Sequence, residues 1–336
     1  MLEHGGRLLR AAREYGRPAE EWLDLSTGIS PYAWPVPPIP AEAWHRLPEH
    51  DDGLIEAARA YYGTPSLLAV AGSQAAIQAL PALRERSRVG VLSPGYAEHA
   101  HAWRQAGHRV EQASATTLLS RASNFDVIVL MHPNNPGGER FAPDELLGLH
   151  AGLVRRGGWL VVDEAFIDAT PDASLCALPA RPGLVLLRSV GKFFGLAGAR
   201  AGFVCATTDF LMALRDRLGP WTLSGPTRHV LKLALADSAW QAQVRERLHV
   251  ASARLSALLG AHGLTPAAGT AFFQWCCDER APVLERALAR QGVLMRRFET
   301  PASLRFGLPG DDQAFARLDV ALEQAISVAA VKESMR

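Results

Sequence analysis

Residues 126–138 read DVIVLMHPNNPGG. Within that stretch Val127–Met131 is an unbroken apolar run, as expected for a strand covered on both faces. The segment His132-Pro133-Asn134-Asn135-Pro136-Gly137 follows it as a polar loop. A fully covered strand points to a parallel sheet with helices on both faces. In such sheets ligands sit beyond the C-terminal ends of the strands.

The same pattern repeats to either side. Leu67–Ala71, Val89–Leu92, Arg109–Glu111, Trp159–Val162, Leu184–Arg188 and Gly202–Ala206 read as strands. They alternate with helices at Asp51–Tyr62, after Gly72, at Ala97–Ala106 and at Asp144–Arg156. This alternation predicts an α/β fold with a mostly parallel open sheet. A long helix is expected over Arg228–Leu259. After Gly263 the pattern changes to strands at Thr270–Cys276, Val293–Arg296 and Leu304–Phe306, with helices at Ala281–Gln291 and Asp311–Val328. That is the pattern of a small α+β domain. Before the body come a short helix, Arg7–Tyr15, an extended Trp22–Leu25 and a turn-rich Ser26–Pro31. Pro31–Pro40 holds five prolines, so it reads as an extended connector. The expected organisation is an arm (1–30) packed with the small domain, a large domain (31–245) and a small domain (246–336).

The 336 residues are 48% hydrophobic and 21% charged, which excludes disorder as the overall state. Lys plus Arg number 35 against 34 Asp plus Glu, a net charge of +1 that favours neither nucleic acid nor a membrane surface. The four cysteines, Cys176, Cys205, Cys276 and Cys277, form no CxxC pair and no disulfide framework. No Cys/His cluster has metal-ligand spacing. The start, MLEHGGRLLRAAREYG, lacks the apolar run of a signal peptide, and no run is long enough to span a bilayer. A soluble cytoplasmic protein without metal is the expectation.

Four polar features follow strands. Gly72-Ser73-Gln74 opens a helix and could cradle a phosphate with its amides and hydroxyl, though it also suits an ordinary helix cap. Asp163 ends an apolar strand, where a carboxylate needs a partner such as a pyridinium N–H, a cap or an ion pair. Lys192 lies among small and apolar residues, where an amine can form a Schiff base, as well as suiting a surface position. Arg200 follows eight residues later. Phe193 stands where a Walker A loop needs Ser or Thr, and no GxGxxG is present, so both nucleotide motifs fail.

In this order and spacing, AGSQAAIQAL, MHPNNPGG, VVDEAF and RSVGKFFGLAGARAGF resemble the motifs of the fold type I pyridoxal-phosphate enzymes, the aspartate aminotransferase superfamily. The resemblance covers nearly the whole chain. It implies pyridoxal 5'-phosphate as cofactor, with Lys192 as the lysine that bonds to it and later shuttles protons. Asp163 would pair with the pyridine nitrogen and strengthen the ring as an electron sink. Asn135 would bond the ring hydroxyl. The phosphate would lie on Ser73, Ser189, Arg200 and the amides of Gly72–Gln74. Tyr96 would stack on the ring, and Arg305 would clamp the substrate carboxylate. Three positions depart from the family pattern: Phe166 where many relatives have Tyr, Gly191 where Ser often precedes the lysine, and Leu47 where a Tyr reaches the neighbouring active site.

Within the superfamily the chain is most similar to the histidinol-phosphate aminotransferase and threonine-phosphate decarboxylase subgroup. His4-Gly5-Gly6-Arg7, LDLSTGISP and PGYAEH resemble the decarboxylase type. Gly5 and Gly6 would let backbone approach an anion, with His4 as a donor, and Arg296 is the better of two candidates, with Arg297, for the substrate phosphate. The resemblance then implies decarboxylation of O-phospho-L-threonine to (R)-1-amino-2-propanol O-2-phosphate, the linker piece of cobalamin. The alternatives are a histidinol-phosphate-type aminotransferase and an idle pyridoxal-phosphate-fold protein. A homodimer is implied, and a contact with a later cobalamin-pathway enzyme stays open.

Overall fold

The computed structural model describes residues 4–334; Met1–Glu3 and Met335–Arg336, the outer ends of the expected arm and small domain, lie outside the described residues. In chain order the strands are β1 (Leu23–Asp24), β2 (Leu67–Val70), β3 (Arg88–Leu92), β4 (Arg109–Ala113), β5 (Val127–Met131), β6 (Trp159–Asp163), β7 (Leu184–Ser189), β8 (Gly202–Cys205), β9 (Ala268–Thr270), β10 (Phe273–Cys277), β11 (Val293–Leu294), β12 (Arg296–Phe298) and β13 (Ser303–Gly307). The chain divides into two compact units. One comprises Ala33–Asn135 and Glu139–Arg245; the other comprises Met1–Tyr32, Pro136–Gly138 and Glu246–Arg336.

The first unit is built on a seven-stranded sheet in the order β2-β8-β7-β6-β5-β3-β4. Strands β4, β3, β5, β6 and β7 run parallel, while β8 is antiparallel to β7 and to β2. Every residue of β5 and of β7 is buried, so the apolar runs are central strands covered on both faces. Val127, Val129, Val161, Val185 and Leu187 share one core cluster with Ile77, Ala100 and Trp103 from the helices Ser73–Ala79 and Ala97–Gln105. Side chains alternate along a strand, so Asp163 and Ser189 continue the Val161 and Leu187 rows toward this helical layer. The C-terminal ends of β5, β6 and β7 thus deliver Asn135, Asp163 and Lys192 to one edge of the sheet.

The second unit holds a four-stranded antiparallel sheet, β12-β13-β10-β9, and a parallel pair, β1-β11. Trp22 packs with Ala11 and Ala289, so the N-terminal helix Leu8–Tyr15 is held against the helix Ala281–Arg290.

Two elements differ from the sequence reading. The helix expected over Arg228–Leu259 is two helices, Gly225–Ala236 and Ser238–Ala261. Asp237 breaks it: its carboxylate accepts from Trp240 N at 3.0 Å and from Trp34 Nε1 at 3.1 Å, which caps the second helix. The strand expected at Val293–Arg296 is likewise two strands. Val293–Leu294 pairs with β1, and the chain changes sheets at Met295 so that Arg296–Phe298 pairs with β13. The helices Ala115–Ser120 and Thr208–Leu218 have no counterpart in the sequence reading.

Candidate active site

Beyond the ends of β5, β6 and β7 lies a cavity of about 110 Å³. Gly72, Ser73, Gln74, Tyr96, Asn135, Asp163, Ser189, Lys192 and Arg200 all line it, so the sequence-predicted cofactor residues meet at one place.

Asp163 is 1% exposed. Its Oδ1 accepts from Ala165 N at 3.0 Å, and its Oδ2 lies 2.9 Å from His99 Nε2. A carboxylate has nothing to donate, so the imidazole Nε2–H is the donor. His99 is a residue that sequence reasoning missed. A signal existed: Tyr96 caps the helix Ala97–Gln105, and His99 is three residues on, the spacing that puts both side chains on one helical face. The two rings meet edge to face, with centroids 5.9 Å apart.

Tyr96 is held from its other end as well. Its hydroxyl donates to Gln74 Oε1 at 3.1 Å, and Gln74 Nε2 donates to Glu98 Oε2 at 3.1 Å. Burial, with Glu98 and Asp163 nearby, pushes the phenol up to about 12, so it remains a neutral ring with a donor proton.

The side of the cavity lined by Gly72, Ser73 and Arg200 depends on absent side chains. Gly72 has φ +73°, and a Cβ there would lie 3.1 Å from Arg200 Nη2. Arg200 itself is in the left-handed region at φ 51°, closing the turn Ala197–Ala199. A Cβ on Gly202 would lie 2.5 Å from Arg188 O and 2.8 Å from Ser73 N. These glycines let the Ser73 helix start, the Ser189 strand end and Arg200 close on one point. Amides, two hydroxyls and a guanidinium form a donor set suited to a phosphate dianion. A buried carboxylate suited to a pyridinium N–H and an amine suited to an aldehyde complete what pyridoxal phosphate requires, so the residues fit that group.

Two of the departures from the family pattern have a structural basis. Lys192 Nζ lies 5.8 Å from the Phe166 ring centroid, so the phenyl group faces the amine where a Tyr would bring a hydroxyl. A Cβ on Gly191 would lie 3.0 Å from Ala197 Cα, which leaves no room for Ser without a shift of that turn. Leu47 is 66% exposed.

The remaining expected residues belong to the other unit. His4, Gly5 and Arg296 line one cleft of about 650 Å³, together with Arg7, Arg10 and Arg297. The first glycine is required by this unit's own backbone: a Cβ on Gly5 would lie 2.1 Å from Ser26 O. Gly6, at φ +76°, donates its N–H to Ser26 Oγ at 2.8 Å. Arg305 does not line that cleft. It is buried opposite Arg296 in the β12–β13 register, donates to Ser26 O at 2.8 Å, and sits 4.9 Å over the Phe273 ring. Burial, and then the neighbouring Arg296, pull its guanidinium down to about 9, which still leaves it charged at neutral pH. Arg297 donates to Glu285 Oε2 at 2.6 Å.

Among the described residues no cluster of His, Cys, Asp or Glu is placed to hold a metal. No helix of the described residues is long and apolar enough to cross a membrane.

Residues 42–322 match the family model of class I and II aminotransferases. The chain is 58% identical to a threonine-phosphate decarboxylase of Pseudomonas aeruginosa over 96% of its own length and 97% of that protein. It is 40% identical to a threonine-phosphate decarboxylase of a Sinorhizobium species, again over 96% of this chain and 97% of that one. Among solved structures, the histidinol-phosphate aminotransferase of Sinorhizobium meliloti in complex with pyridoxal-5'-phosphate superposes with a TM-score of 0.81 at 21% identity, covering 97% of this chain and 95% of that chain. That last likeness shows the fold alone: fold type I, with a mostly parallel sheet.

Proposed function

The chain belongs to the class I and II aminotransferase family, in its threonine-phosphate decarboxylase branch, and from that membership we propose that it is a pyridoxal-phosphate-dependent lyase. Its substrate is O-phospho-L-threonine, and its products are carbon dioxide and (R)-1-amino-2-propanol O-2-phosphate, the linker piece of cobalamin. One observation carries the choice over the aminotransferase alternative: 58% identity along 96% of the chain to a protein of that name.

When bound, pyridoxal phosphate supplies a sink for the electron pair released as the bond from Cα to the carboxylate breaks. The chain does the rest. Ser73, Ser189, Arg200 and the amides from Gly72 to Gln74 hold the cofactor phosphate. Asp163, backed by His99, keeps a proton on the ring nitrogen. Asn135 bonds the ring hydroxyl, and Tyr96 lies on the ring face. Lys192 Nζ anchors the cofactor and holds the proton that replaces the lost carboxylate at Cα. Arg305 takes the substrate carboxylate as a bidentate partner. His4, Gly5, Gly6 and Arg296 take its phosphate. Whichever bond at Cα breaks would have to stand perpendicular to the ring: decarboxylation requires the carboxylate bond there, and transamination the C–H bond.

The assembly is a homodimer on this reading. Trp44, Leu47 and Trp221 are 66%, 66% and 55% exposed, and they flank in sequence the contact of Gly225 with the Ala43 carbonyl. Light scattering of the purified protein checks the mass.

The deciding experiment supplies O-phospho-L-threonine and pyridoxal phosphate without any keto acid. Equal amounts of carbon dioxide and aminopropanol phosphate are expected. No release, with glutamate formed from histidinol phosphate and 2-oxoglutarate taking part as amino acceptor, establishes the aminotransferase instead.

A further inference from the structure

Directly behind the cavity, on the other face of the sheet, three charged side chains are buried together. Glu164, Asp168 and Arg188 are 0%, 1% and 2% exposed. Arg188 Nη1 donates to Glu164 Oε2 at 2.7 Å, and its Nη2 donates to Asp168 Oδ1 at 2.5 Å. Ser174 Oγ and Leu175 N donate to Glu164 at 2.6 and 2.9 Å, and Tyr61 OH donates to Asp168 Oδ1 at 2.9 Å. The guanidinium lies 4.7 Å over the Tyr62 ring.

The position of this group in the chain matters. Asp163 is the last residue of β6 to pair with β7, opposite Leu187. One further backbone bond, Glu164 N to Leu187 O at 2.9 Å, closes the ladder. Past it the two chains part. One enters the turn Ile167–Ala169, and the other enters the short helix Val190–Phe193 that carries Lys192. Glu164 and Arg188 are the neighbours in sequence of Asp163 and Ser189, and by strand alternation they project to the opposite face. A guanidinium fork between two carboxylates therefore ties the strand ends where backbone pairing stops. Stability alone does not account for it, because buried ion triads are often replaced by apolar side chains of like volume with no loss. What apolar packing lacks is a directional, two-pronged bond that fixes spacing.

We propose that Glu164, Arg188 and Asp168 are positioning residues: their ion triad sets the distance and orientation between Asp163 and Lys192, and through them the seating of the cofactor. The proposal rests on the roles given to Asp163 and Lys192 under the proposed function.

Two variants test it. Arg188→Lys keeps the charge and loses the fork. The triple variant Glu164→Gln, Asp168→Asn, Arg188→Met removes all three charges together and leaves none unpaired. For each, four quantities are compared with the parent protein: the melting temperature of the apoprotein, its affinity for pyridoxal phosphate by fluorescence titration, the visible circular dichroism of the bound cofactor, and kcat with KM. A positioning role predicts an altered dichroism band and a kcat lower on the order of tenfold to a hundredfold, the scale of a small misplacement of reacting groups. KM and the triple variant's melting temperature stay close to those of the parent. A triple variant with the parent's dichroism and kcat overturns the proposal, whatever its melting temperature. If the triple variant does not fold, Arg188→Lys decides alone by the same band and rate. Should the parent itself fail to bind pyridoxal phosphate, or Lys192→Ala keep the parent's absorbance, the site reading fails rather than the triad.

Discussion

The hydrogen bond between His99 and Asp163 makes a quantitative prediction. Both groups are buried, at 4% and 1% exposure, and their atoms are 2.9 Å apart. Replacing His99 by Leu leaves Asp163 Oδ2 without that donor at a buried position. A hydrogen bond to an ionised group is worth about 1.5–3 kcal/mol. On the proposed function Asp163 would keep the ring nitrogen protonated, as the ring needs in order to take up electrons, so with this loss expressed in the rate, at about 1.4 kcal/mol per decade, kcat drops roughly ten- to a hundredfold. The edge-to-face contact with Tyr96 is lost as well, about 0.5–1.5 kcal/mol, but it is present before and during reaction, so it lowers the melting temperature rather than the rate. His99→Gln restores a donor at a similar reach and is expected to recover part of kcat. The assay is carbon dioxide release at saturating substrate and cofactor, with cofactor occupancy checked by absorbance. A fully loaded His99→Leu enzyme with unchanged kcat refutes the reasoning, because Asp163 would then need no support from that side.

Other outcomes follow from single contacts. Gly191→Ser forces its Cβ onto Ala197 Cα, 3.0 Å away, and is expected to destabilise by about 1–3 kcal/mol, read as a lower melting temperature. Gly5→Ala drives a methyl against Ser26 O, which also accepts from Arg305; KM for O-phospho-L-threonine should rise while affinity for pyridoxal phosphate stays put, and the reverse pattern would remove Gly5 from the substrate side. The hydrogen bond from Arg88 holds the Asp126 carboxyl below its ordinary value of 3.8. Its share of stability is therefore complete above that value and is lost as pH falls through the lowered one. Arg88→Ala should flatten the acid limb of melting temperature against pH below about 4 and leave the neutral range little changed.

How much of this could be read from the chain depends on what each feature requires. The central strands were legible because burial on both faces leaves a continuous apolar run, as in Val127–Met131 and Leu184–Leu187. The residues that line the cavity were legible through their resemblance to the family motifs, and Ser73, Tyr96, Asn135, Asp163 and Lys192 also lie at or just past the ends of strands. The break at Asp237 was not, because the apolar period continues through it and only the side chain's bonds to Trp240 N and Trp34 show the cap. The change of sheet at Met295 was hidden for a similar reason: two short strands in a row look like one.

The residues behind the site were the least legible, and the cause is physical. A carboxylate at the end of an apolar strand announces that it needs donors, but it does not say where they come from. For Asp163 the donor is His99, 64 residues earlier on a helix that packs over the sheet. Glu164 and Arg188 are 24 residues apart and fall on the face away from the cavity, so each resembles a surface charge until the fold buries both. Strand alternation doubles the meaning of a motif: in Asp163-Glu164 one carboxylate faces the cavity and the next faces the ion triad on the opposite side of the sheet. The same holds for Arg188-Ser189. If the frame sets the seating of the cofactor, the pairs Asp163-Glu164 and Arg188-Ser189 are functional units of two residues each, and a substitution in the member that faces away from the cavity, Glu164 or Arg188, should be read in the spectrum and kcat rather than in KM.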